Sequence, residues 1–197
     1  MYNFGIYHWR RHLRTVCAGV LTLVAAAIAG RRSERRLARL GFGMVAIGAV
    51  TVLLTTARKL FTPVPWVVGQ RKYDVLVTAL ALDEPRQVLD VGSGTGRSIV
   101  GMASYLPAES QVTALDVFDD RIVLGNTPGR ARANLEEAGV DGVVLVGDAA
   151  RMPVRDESHD LVVVSRLLHD LPEETARRML AEARRVLEPG GTLGILE

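Results

Sequence analysis

The sequence predicts an α/β protein with a doubly wound parallel sheet of five strands, preceded by a two-helix transmembrane hairpin. After residue 73, short runs rich in Val and Leu alternate with helical segments, which is typical of a parallel sheet covered on both faces. Before that point, residues 15–30 and 40–57 carry no charge. Residues 1–72 hold 12 Lys or Arg and one acid, whereas residues 73–197 hold 12 Arg and 21 acids. This change of sign predicts two parts in different surroundings.

Residues 1–57 are predicted to form the membrane hairpin, with helices over about 13–30 and 40–57. The two uncharged runs would form helices of about 24 and 27 Å, close to the ~30 Å hydrocarbon core of a bilayer. The basic stretch "RRSERRLAR" joins them. Small residues in both runs allow close helix packing in lipid: Gly19, Ala25, Ala29, Gly41, Gly43 and Gly48.

Three alternatives to the hairpin remain open. In the first, "RRHLR" is the basic region of a signal peptide and Ala27–Ala29 its cleavage site, although a second apolar run follows at once. In the second, the runs are buried helices of a soluble domain. The third, an interfacial helix lying in the membrane plane, is disfavoured because neither run has a polar face.

Charge also predicts the surroundings of each part. Seven Lys or Arg flank the hairpin on the side of its termini and five lie in its loop, so the positive-inside rule favours cytosolic termini. We therefore expect the chain in the cell (inner) membrane, with the following domain facing the cytoplasm. The basic apolar part suits a bilayer that contains anionic lipid. The acidic part is unsuited to nucleic acid, because such binding depends on neutralising phosphates.

Residues 58–72 are predicted to be a linker, because Pro63 and Pro65 stop a helix, and residues 73–197 the α/β domain. Its predicted elements are, in order, helix "YDVLVTALAL", strand "QVLDVG", helix 98–105, strand "QVTALDV", helix "RARANLEEAG", strands "GVVLVGDA" and "DLVVVSRLL", helix "PEETARRMLAEARRVLEPGG" and strand "TLGILE".

Polar residues follow four of these strands at their carboxyl ends, where ligands bind in open parallel sheets. Asp90 and a run of glycines end the first strand, Asp116 the second and Asp148 the third, and residues 165–169 follow the fourth. A single Asp in such a place is often a helix cap or a solvated turn. Polar residues at four strand ends, together with the glycines, predict a cofactor site.

The spacing of the glycines argues against a dinucleotide. The dinucleotide pattern G-x-G-x-x-G, begun at Gly92, would need a third glycine at position 97, where Arg97 stands. The glycines are instead Gly92, Gly94 and Gly96.

The segment "VLDVGSGTG" resembles the first motif of class I S-adenosylmethionine-dependent methyltransferases, and "ALDV" resembles the acidic end of their second strand. "GDAARMPVRDESHDLVVVSRLLHDL" and "RRVLEPGGTLGI" resemble the ubiquinone/menaquinone-biosynthesis (methyltransferase type 11) group. The resemblance covers about residues 73–197. It implies a Rossmann-like fold, S-adenosyl-L-methionine as cofactor and methyl transfer, but it is not specific for the acceptor.

Physical roles follow for several residues. Gly92 and Gly94 leave room for the cofactor's methionine end, and Asp90 can accept from its ammonium group. Asp116 can accept from the ribose hydroxyls. The resemblance gives Asp148 the adenine amino group and the Ala149 N–H a ring nitrogen. The predicted cofactor-binding residues are Asp90, Gly92, Ser93, Gly94, Gly96, Asp116, Val117, Asp148, Ala149 and Ser165.

His169 is the candidate general base for an acceptor that keeps its proton, because histidine exchanges protons near neutral pH. Alternatively it packs against or caps the following helix, whose N-cap is predicted to be Asp170. Arg97 and Arg166 are predicted to be surface or helix-end charges. No metal is expected, because Cys17 is the only cysteine and the four histidines lack ligand spacing.

The hairpin suggests a lipophilic small-molecule acceptor. Two other functions stay open: a membrane-tethered cofactor-binding protein without turnover, and a NAD(P)-dependent oxidoreductase. The family normally continues to a sixth and a seventh strand, so we expect either a truncated domain or a five-stranded sheet with "TLGILE" at an edge. The oligomeric state is not predicted.

Overall fold

The computed structural model describes residues 2–61, 66–80 and 87–197. The chain divides into two compact units: Ile6–Pro65, and Met1–Gly5 together with Trp66–Glu197. We call them the hairpin unit and the sheet unit. The first five residues, which we predicted to belong to the hairpin, are therefore part of the sheet unit.

The hairpin unit contains β1 (Ile6–Tyr7), α1 (Trp9–Arg32) and α2 (Arg36–Phe61). Both helices extend beyond the predicted limits 13–30 and 40–57, because flanking arginines continue the helix. Arg31 and Arg32 lie in the last turn of α1, where basic side chains interact favourably with the helix dipole.

Helices α1 and α2 are long and apolar enough to cross a membrane. Only 11% of the apolar window of α1 and 6% of that of α2 is buried, which disfavours the alternative that they are core helices of a soluble domain. Length and composition are weak evidence for membrane association, since a signal sequence passes the same test.

Gly19 of α1 lies close to Leu53 of α2. A Cβ atom on Gly19 would lie 2.9 Å from Leu53 Cδ2, so a larger residue there would require the Leu53 side chain or the helices to shift. At Gly41, Gly43 and Gly48 a Cβ atom would meet nothing within 4 Å, so these three glycines make no close contact between α1 and α2.

The sheet unit alternates strands and helices, as predicted. Its elements are α3 (Trp66–Leu80), β2 (Gln87–Val91), α4 (Arg97–Met102), β3 (Gln111–Asp116), β4 (Val123–Leu124), α5 (Pro128–Glu137), β5 (Gly142–Val146), β6 (His159–Ser165), α6 (Glu173–Val186) and β7 (Leu187–Leu196).

The predicted linker 58–72 is helical at both ends, because α2 continues to Phe61 and α3 begins at Trp66. The boundary at residue 73 was inferred from the change of charge, and a change of charge does not end a helix. Pro63 and Pro65, on which the linker prediction rested, lie outside the described residues.

Five strands form one parallel sheet in the order β5-β3-β2-β6-β7. The chain starts at the central β2, moves to one side through β3 and β5, and returns to the other side with β6 and β7. The order therefore reverses between β2 and β6, which is where ligands bind in open sheets of this kind. The predicted doubly wound parallel sheet is confirmed.

Alternate residues of the strands build two cores. Val88 and Val112 face a cluster with α3, α4 and α5, whereas Leu89 and Val162 face a cluster with α6. All four side chains are at most 2% exposed. Both faces of the sheet are thus covered, and the carboxyl ends of the central strands are held by two packed layers.

Candidate cofactor site

The loop from Gly92 to Gly96 follows β2 at the point where the strand order reverses. All three of its glycines have positive φ: 73° at Gly92, 54° at Gly94 and 79° at Gly96. A Cβ atom would lie 2.7 Å from Leu167 at Gly92 and 2.6 Å from Leu135 at Gly96, so these two glycines permit close packing. At Gly94 the nearest atom would be 3.9 Å away. Gly94 is therefore the open position at which a ligand can approach the backbone.

Hydrogen bonds tie this loop to the end of β3. The N–H groups of Gly92 and Ser93 donate to the Leu115 carbonyl at 2.8 and 3.0 Å, and Gly94 N–H donates to Asp116 Oδ2 at 2.9 Å. The backbone of the loop is thus fixed by the neighbouring strand before any ligand binds.

Asp116 organises the residues around this loop. Its Oδ1 accepts from Phe118 N–H at 2.6 Å and from Asn126 Nδ2 at 3.2 Å, while Oδ2 accepts from Gly94 N–H. Because a carboxylate oxygen can accept two hydrogen bonds, Oδ2 keeps one position for a further donor such as a hydroxyl.

Asp90 lies completely buried at the end of β2. Its Oδ2 accepts a short hydrogen bond from the Ser98 hydroxyl, and its Oδ1 has no partner. Burial is the largest effect on the pKa of Asp90 and raises it. The hydrogen bond from Ser98 lowers this pKa and the charge of Asp116 raises it further, so that it lies at about 7. A buried carboxylate oxygen without a partner is costly, and a cationic donor would relieve that cost.

Three polar atoms of this region are buried without a hydrogen-bond partner: Asp90 Oδ1, Ser93 Oγ and Asn126 Oδ1. Asp90 lies in β2, just before the loop, Ser93 lies in the loop, and Asn126 donates to Asp116. Two acceptors and a hydroxyl suit a ligand with an ammonium group and hydroxyls, so the residues present fit S-adenosylmethionine. Asn126 was not predicted, because nothing in "GNTPG" distinguishes it from a turn residue.

The remaining predicted cofactor residues lie along the same edge of the sheet. The register pairs Val91 with Leu115 and Val164, and Asp116 with Val146, so the strands end together. Val117 is exposed, Asp148 is exposed with Oδ1 accepting from Ala150 N–H at 2.8 Å, and Ala149 and Ser165 are half-buried.

His169 lies in a short 3₁₀ turn after β6. Its Nδ1 is 2.5 Å from Glu197 Oε2, while Glu197 Oε1 accepts from the N–H groups of Leu167 and Leu168 at 3.1 and 2.8 Å. Partial burial raises the pKa of Glu197, but the hydrogen bonds from His169 and the Leu168 backbone hold that pKa below its ordinary value. The carboxylate thus orients the imidazole.

The prediction that Asp170 caps α6 was wrong. Pro172 occupies the N-cap position, without a side-chain hydrogen bond, and Asp170 Oδ2 lies 3.6 Å from His169 Nε2. Asp170 is the last residue of the 3₁₀ turn, and Leu171 and Pro172 separate it from the start of α6 at Glu173.

Arg97 is half-buried, with its guanidinium 5.2 Å from the centre of the Phe4 ring. Arg166 is exposed, as predicted, with a positive φ of 55°. Burial, together with the charges of Arg166 and Arg97, lowers the pKa of Lys72 to about 8. Among the described residues, no group of three His, Cys, Asp or Glu could hold a metal ion.

Comparison with known proteins identifies the sheet unit. A methyltransferase domain family model matches residues 88–191. A ubiquinone/menaquinone biosynthesis C-methyltransferase of Dinoroseobacter shibae is 34% identical over 127 residues, covering 63% of this chain and 47% of that protein. A demethylmenaquinone methyltransferase of Listeria welshimeri is 33% identical over 111 residues, covering 56% of this chain and 44% of that protein. The chain thus spans about half the length of these relatives.

Solved structures agree on the fold. A crystal structure described as a methyltransferase from Bacillus halodurans has 30% identity and a TM-score of 0.53, covering 62% of this chain and 49% of that one. The [4+2]-cyclase SpnF has 28% identity and a TM-score of 0.51, covering 64% of this chain and 43% of that one. The family model matches more than half of the chain, which therefore belongs to the class I S-adenosylmethionine-dependent methyltransferases.

Proposed function

We propose that this protein transfers a methyl group from S-adenosyl-L-methionine to a lipophilic small-molecule acceptor. The observation that carries the proposal is the set of three buried polar atoms without partners around the glycine loop, at Asp90, Ser93 and Asn126. Buried polar atoms without hydrogen bonds destabilise the folded state, and a bound ligand can supply the missing hydrogen bonds. Membership of the methyltransferase family indicates that the expected ligand is S-adenosylmethionine.

Each part of the site has a role under this proposal. Asp90 Oδ1 accepts from the cofactor's ammonium group, and Asp116 Oδ2 accepts from a ribose hydroxyl. Gly94 lets the methionine end approach the backbone. Asp148 accepts from the adenine amino group, and the Ala149 N–H donates to a ring nitrogen. Other predicted residues line the cofactor: Gly92, Ser93, Gly96, Val117 and Ser165.

The bound cofactor supplies an electrophilic methyl group on a sulfonium cation. The protein contributes alignment of the acceptor and exclusion of water. If the acceptor atom carries a proton, His169 Nε2 takes it, because Glu197 holds the Nδ1–H side of the ring. The acceptor atom then bonds to the methyl carbon while the carbon–sulfur bond breaks and its electron pair stays on sulfur.

The hairpin unit supports the lipophilic part of the proposal. Its helices expose large apolar side chains, such as Leu21 and Met44, that water would not favour. We therefore propose that the hairpin inserts in the cell (inner) membrane, that the sheet unit faces the cytoplasm, and that the acceptor, a quinone precursor or another lipid, comes from the bilayer. The printed names of the relatives, ubiquinone/menaquinone and demethylmenaquinone methyltransferases, point to the same class of acceptor.

Calorimetry on the detergent-solubilised full chain tests the cofactor. We expect S-adenosylmethionine to bind, NAD not to compete, and Asp116→Ala to weaken binding by about a hundredfold, because it removes a ribose acceptor and the anchor of Gly94. Asp141→Ala is the matched control, since Asp141 is an exposed acid at the amino edge of the sheet. Absence of binding by folded wild-type protein would contradict the proposal.

A labelled methyl group tests the acceptor. We expect transfer to material in a lipid extract of the source membrane. Label found only in water-soluble products would refute a lipophilic acceptor. Cofactor binding with no transfer to either fraction would favour the second candidate, a cofactor-binding protein that does not transfer methyl groups. The similarity to a [4+2]-cyclase supports keeping that candidate, because it shows this fold in a protein named for another reaction.

A further inference from the structure

The segment Tyr2–Gly5, which we call the strap, packs in the sheet unit although 60 residues of hairpin unit separate it from Trp66. Asn3 N–H donates to Asn134 Oδ1 at 2.9 Å, and Asn134 Nδ2 donates back to the Asn3 carbonyl at 2.9 Å. A side-chain amide of α5 thus pairs with the backbone of the strap as a neighbouring strand would.

The same amide binds the glycine loop. Asn134 Nδ2 also donates to the Thr95 carbonyl at 2.8 Å, and the Thr95 hydroxyl donates to the Phe4 carbonyl at 3.4 Å. Asn134 is 3% exposed and Thr95 is 1% exposed, so the hydrogen bond between them is buried, whereas the bonds to Asn3 and Phe4 are partly buried. Arg97, directly after the loop, lies over the Phe4 ring. The strap and the loop therefore meet at one junction, whose centre is the buried Asn134 amide.

We propose that the strap holds the glycine loop in its cofactor-binding form, with Asn134 as the positioning residue. This inference rests on the proposed function of the site. The loop contains three glycines with positive φ, and because glycine has access to many backbone conformations, contacts with the surroundings are needed to hold one of them. Asp116 fixes the loop from the side of β3 through Gly94, and the strap fixes it from the side of α5 through Thr95.

Loss of the strap has a defined consequence. The Thr95 carbonyl would keep its bond to Asn134, but Asn134 Oδ1 would lose the Asn3 N–H and the Thr95 hydroxyl would lose the Phe4 carbonyl. Water would then enter beside the loop. A loop that must be ordered on binding lowers affinity, because the ordering cost is taken from the binding energy. By linkage, the cofactor must stabilise the strap to the same degree.

A pair of substitutions at Asn3 tests this in the full chain. Asn3→Pro removes the backbone N–H that donates to Asn134, whereas Asn3→Ala keeps both backbone bonds. We expect the Kd for S-adenosylmethionine to rise about fivefold in Asn3→Pro and about tenfold in Asn134→Ala, with Asn3→Ala much closer to wild type. Gln111→Ala, which removes an exposed amide at the opposite edge of the sheet, should leave the Kd unchanged.

Amide hydrogen exchange distinguishes a specific effect of the strap on the glycine loop from a general loss of stability. We expect Asn3→Pro to speed exchange at Gly94 and Gly96 while Val162 and Val163 in the core exchange at the wild-type rate. A change that only destabilised the fold would speed exchange in the core as well. If Asn134→Ala does not fold, the pair at Asn3 decides alone.

The two readouts fail independently. If wild-type protein does not bind S-adenosylmethionine, the proposed function is wrong, and the exchange rates still report whether the strap holds the loop. If Asn3→Pro and Asn3→Ala show the same Kd and the same exchange at Gly94 and Gly96, the strap proposal is overturned. Faster exchange in Asn3→Pro with an unchanged Kd would also overturn it, because the loop form would then not matter for the cofactor.

Discussion

The two units use similar apolar side chains in opposite ways. In the hairpin unit, Leu21 is 70% exposed and Leu37 is 83% exposed, whereas Leu89 and Val162 in the sheet are completely buried. The sheet unit covers its apolar residues with its own helices. In the described part of the hairpin unit, α1 packs only against α2, and only 11% and 6% of their apolar windows are buried. Composition alone thus does not tell what solvent a segment needs.

Charge shows the same contrast. The uncharged runs of the hairpin keep Arg and Lys at their ends, whereas the sheet unit buries the carboxyl group of Asp90 completely. A buried acid without full hydrogen bonding is unfavourable for folding, and natural proteins tolerate it where function requires it. The buried carboxyl group thus marks the sheet unit as the part that carries the candidate cofactor site.

Removing the buried charge should have the largest effect. The pKa of Asp90 is about 7 in the folded protein against 3.8 for the free side chain, so folding favours its protonated form. The stabilisation that protonated Asp90 gives the folded state is therefore fully present below about pH 4. It is lost as the pH rises through 7, which lowers the free energy of unfolding by about 4 kcal/mol. Asp90→Asn should abolish this part of the pH dependence, measured by denaturant unfolding between pH 4 and 8.

The same unfolding measurements with S-adenosylmethionine present provide the control for the Asp90 prediction. An ammonium group beside Oδ1 stabilises the carboxylate, so saturating S-adenosylmethionine should flatten the wild-type curve and leave that of Asp90→Asn unchanged in shape. Parallel curves for the two proteins without ligand would mean that Asp90 does not carry the pH dependence.

Truncating one leucine in each unit tests the comparison directly. Leu89→Ala should cost about 3 kcal/mol, because it leaves a cavity between β2 and α6. Leu21→Ala, the same change on an exposed face of α1, should cost less than about 0.5 kcal/mol. Chemical unfolding of both variants in the same detergent gives the two values. Equal costs would show that the exposed face of α1 is packed as tightly as the sheet core.

Local patterns were sufficient to predict the sheet. Val and Leu runs bounded by glycine or aspartate predicted all five strands, although β7 begins at Leu187, in the segment "LEPGG" that was predicted as the end of a helix. Parallel strands end at one edge, so Asp116 and Asp148 could be placed there in advance. The glycine spacing likewise predicted a loop whose shape needs residues without Cβ atoms. These features depend on neighbours in sequence, which a pattern reports well.

Contacts between distant segments could not be predicted this way. Asn3 and Asn134 lie 131 positions apart, and no periodicity links them. The membership of residues 1–5 in the sheet unit and the unpartnered oxygen of Asn126 have the same cause, since both depend on packing after folding. The burial of Asp90 was also missed, because an acid at a strand end is usually solvated.

A third test loosens the hairpin alone. Gly19→Val would place a side chain within 2.9 Å of Leu53 and should destabilise the α1–α2 pair by about 2 kcal/mol. Gly48→Val is the matched control, because a Cβ atom there meets nothing within 4 Å. Thermal unfolding in detergent, followed by helical circular dichroism, should separate the two. If Gly48→Val were equally harmful, the contact at Gly19 would not be what holds the helices together.

The smallest expected effect is on the rate of the methyl transfer proposed for the sheet unit. Glu197→Gln keeps the size of the side chain but removes the charge that orients His169, so methyl transfer should slow by about tenfold at unchanged cofactor affinity. Glu188→Gln, the same change at the opposite end of β7, should leave the rate unchanged. The readout is formation of S-adenosylhomocysteine with a lipid extract. Equal rates in both variants would show that Glu197 does not assist proton transfer through His169.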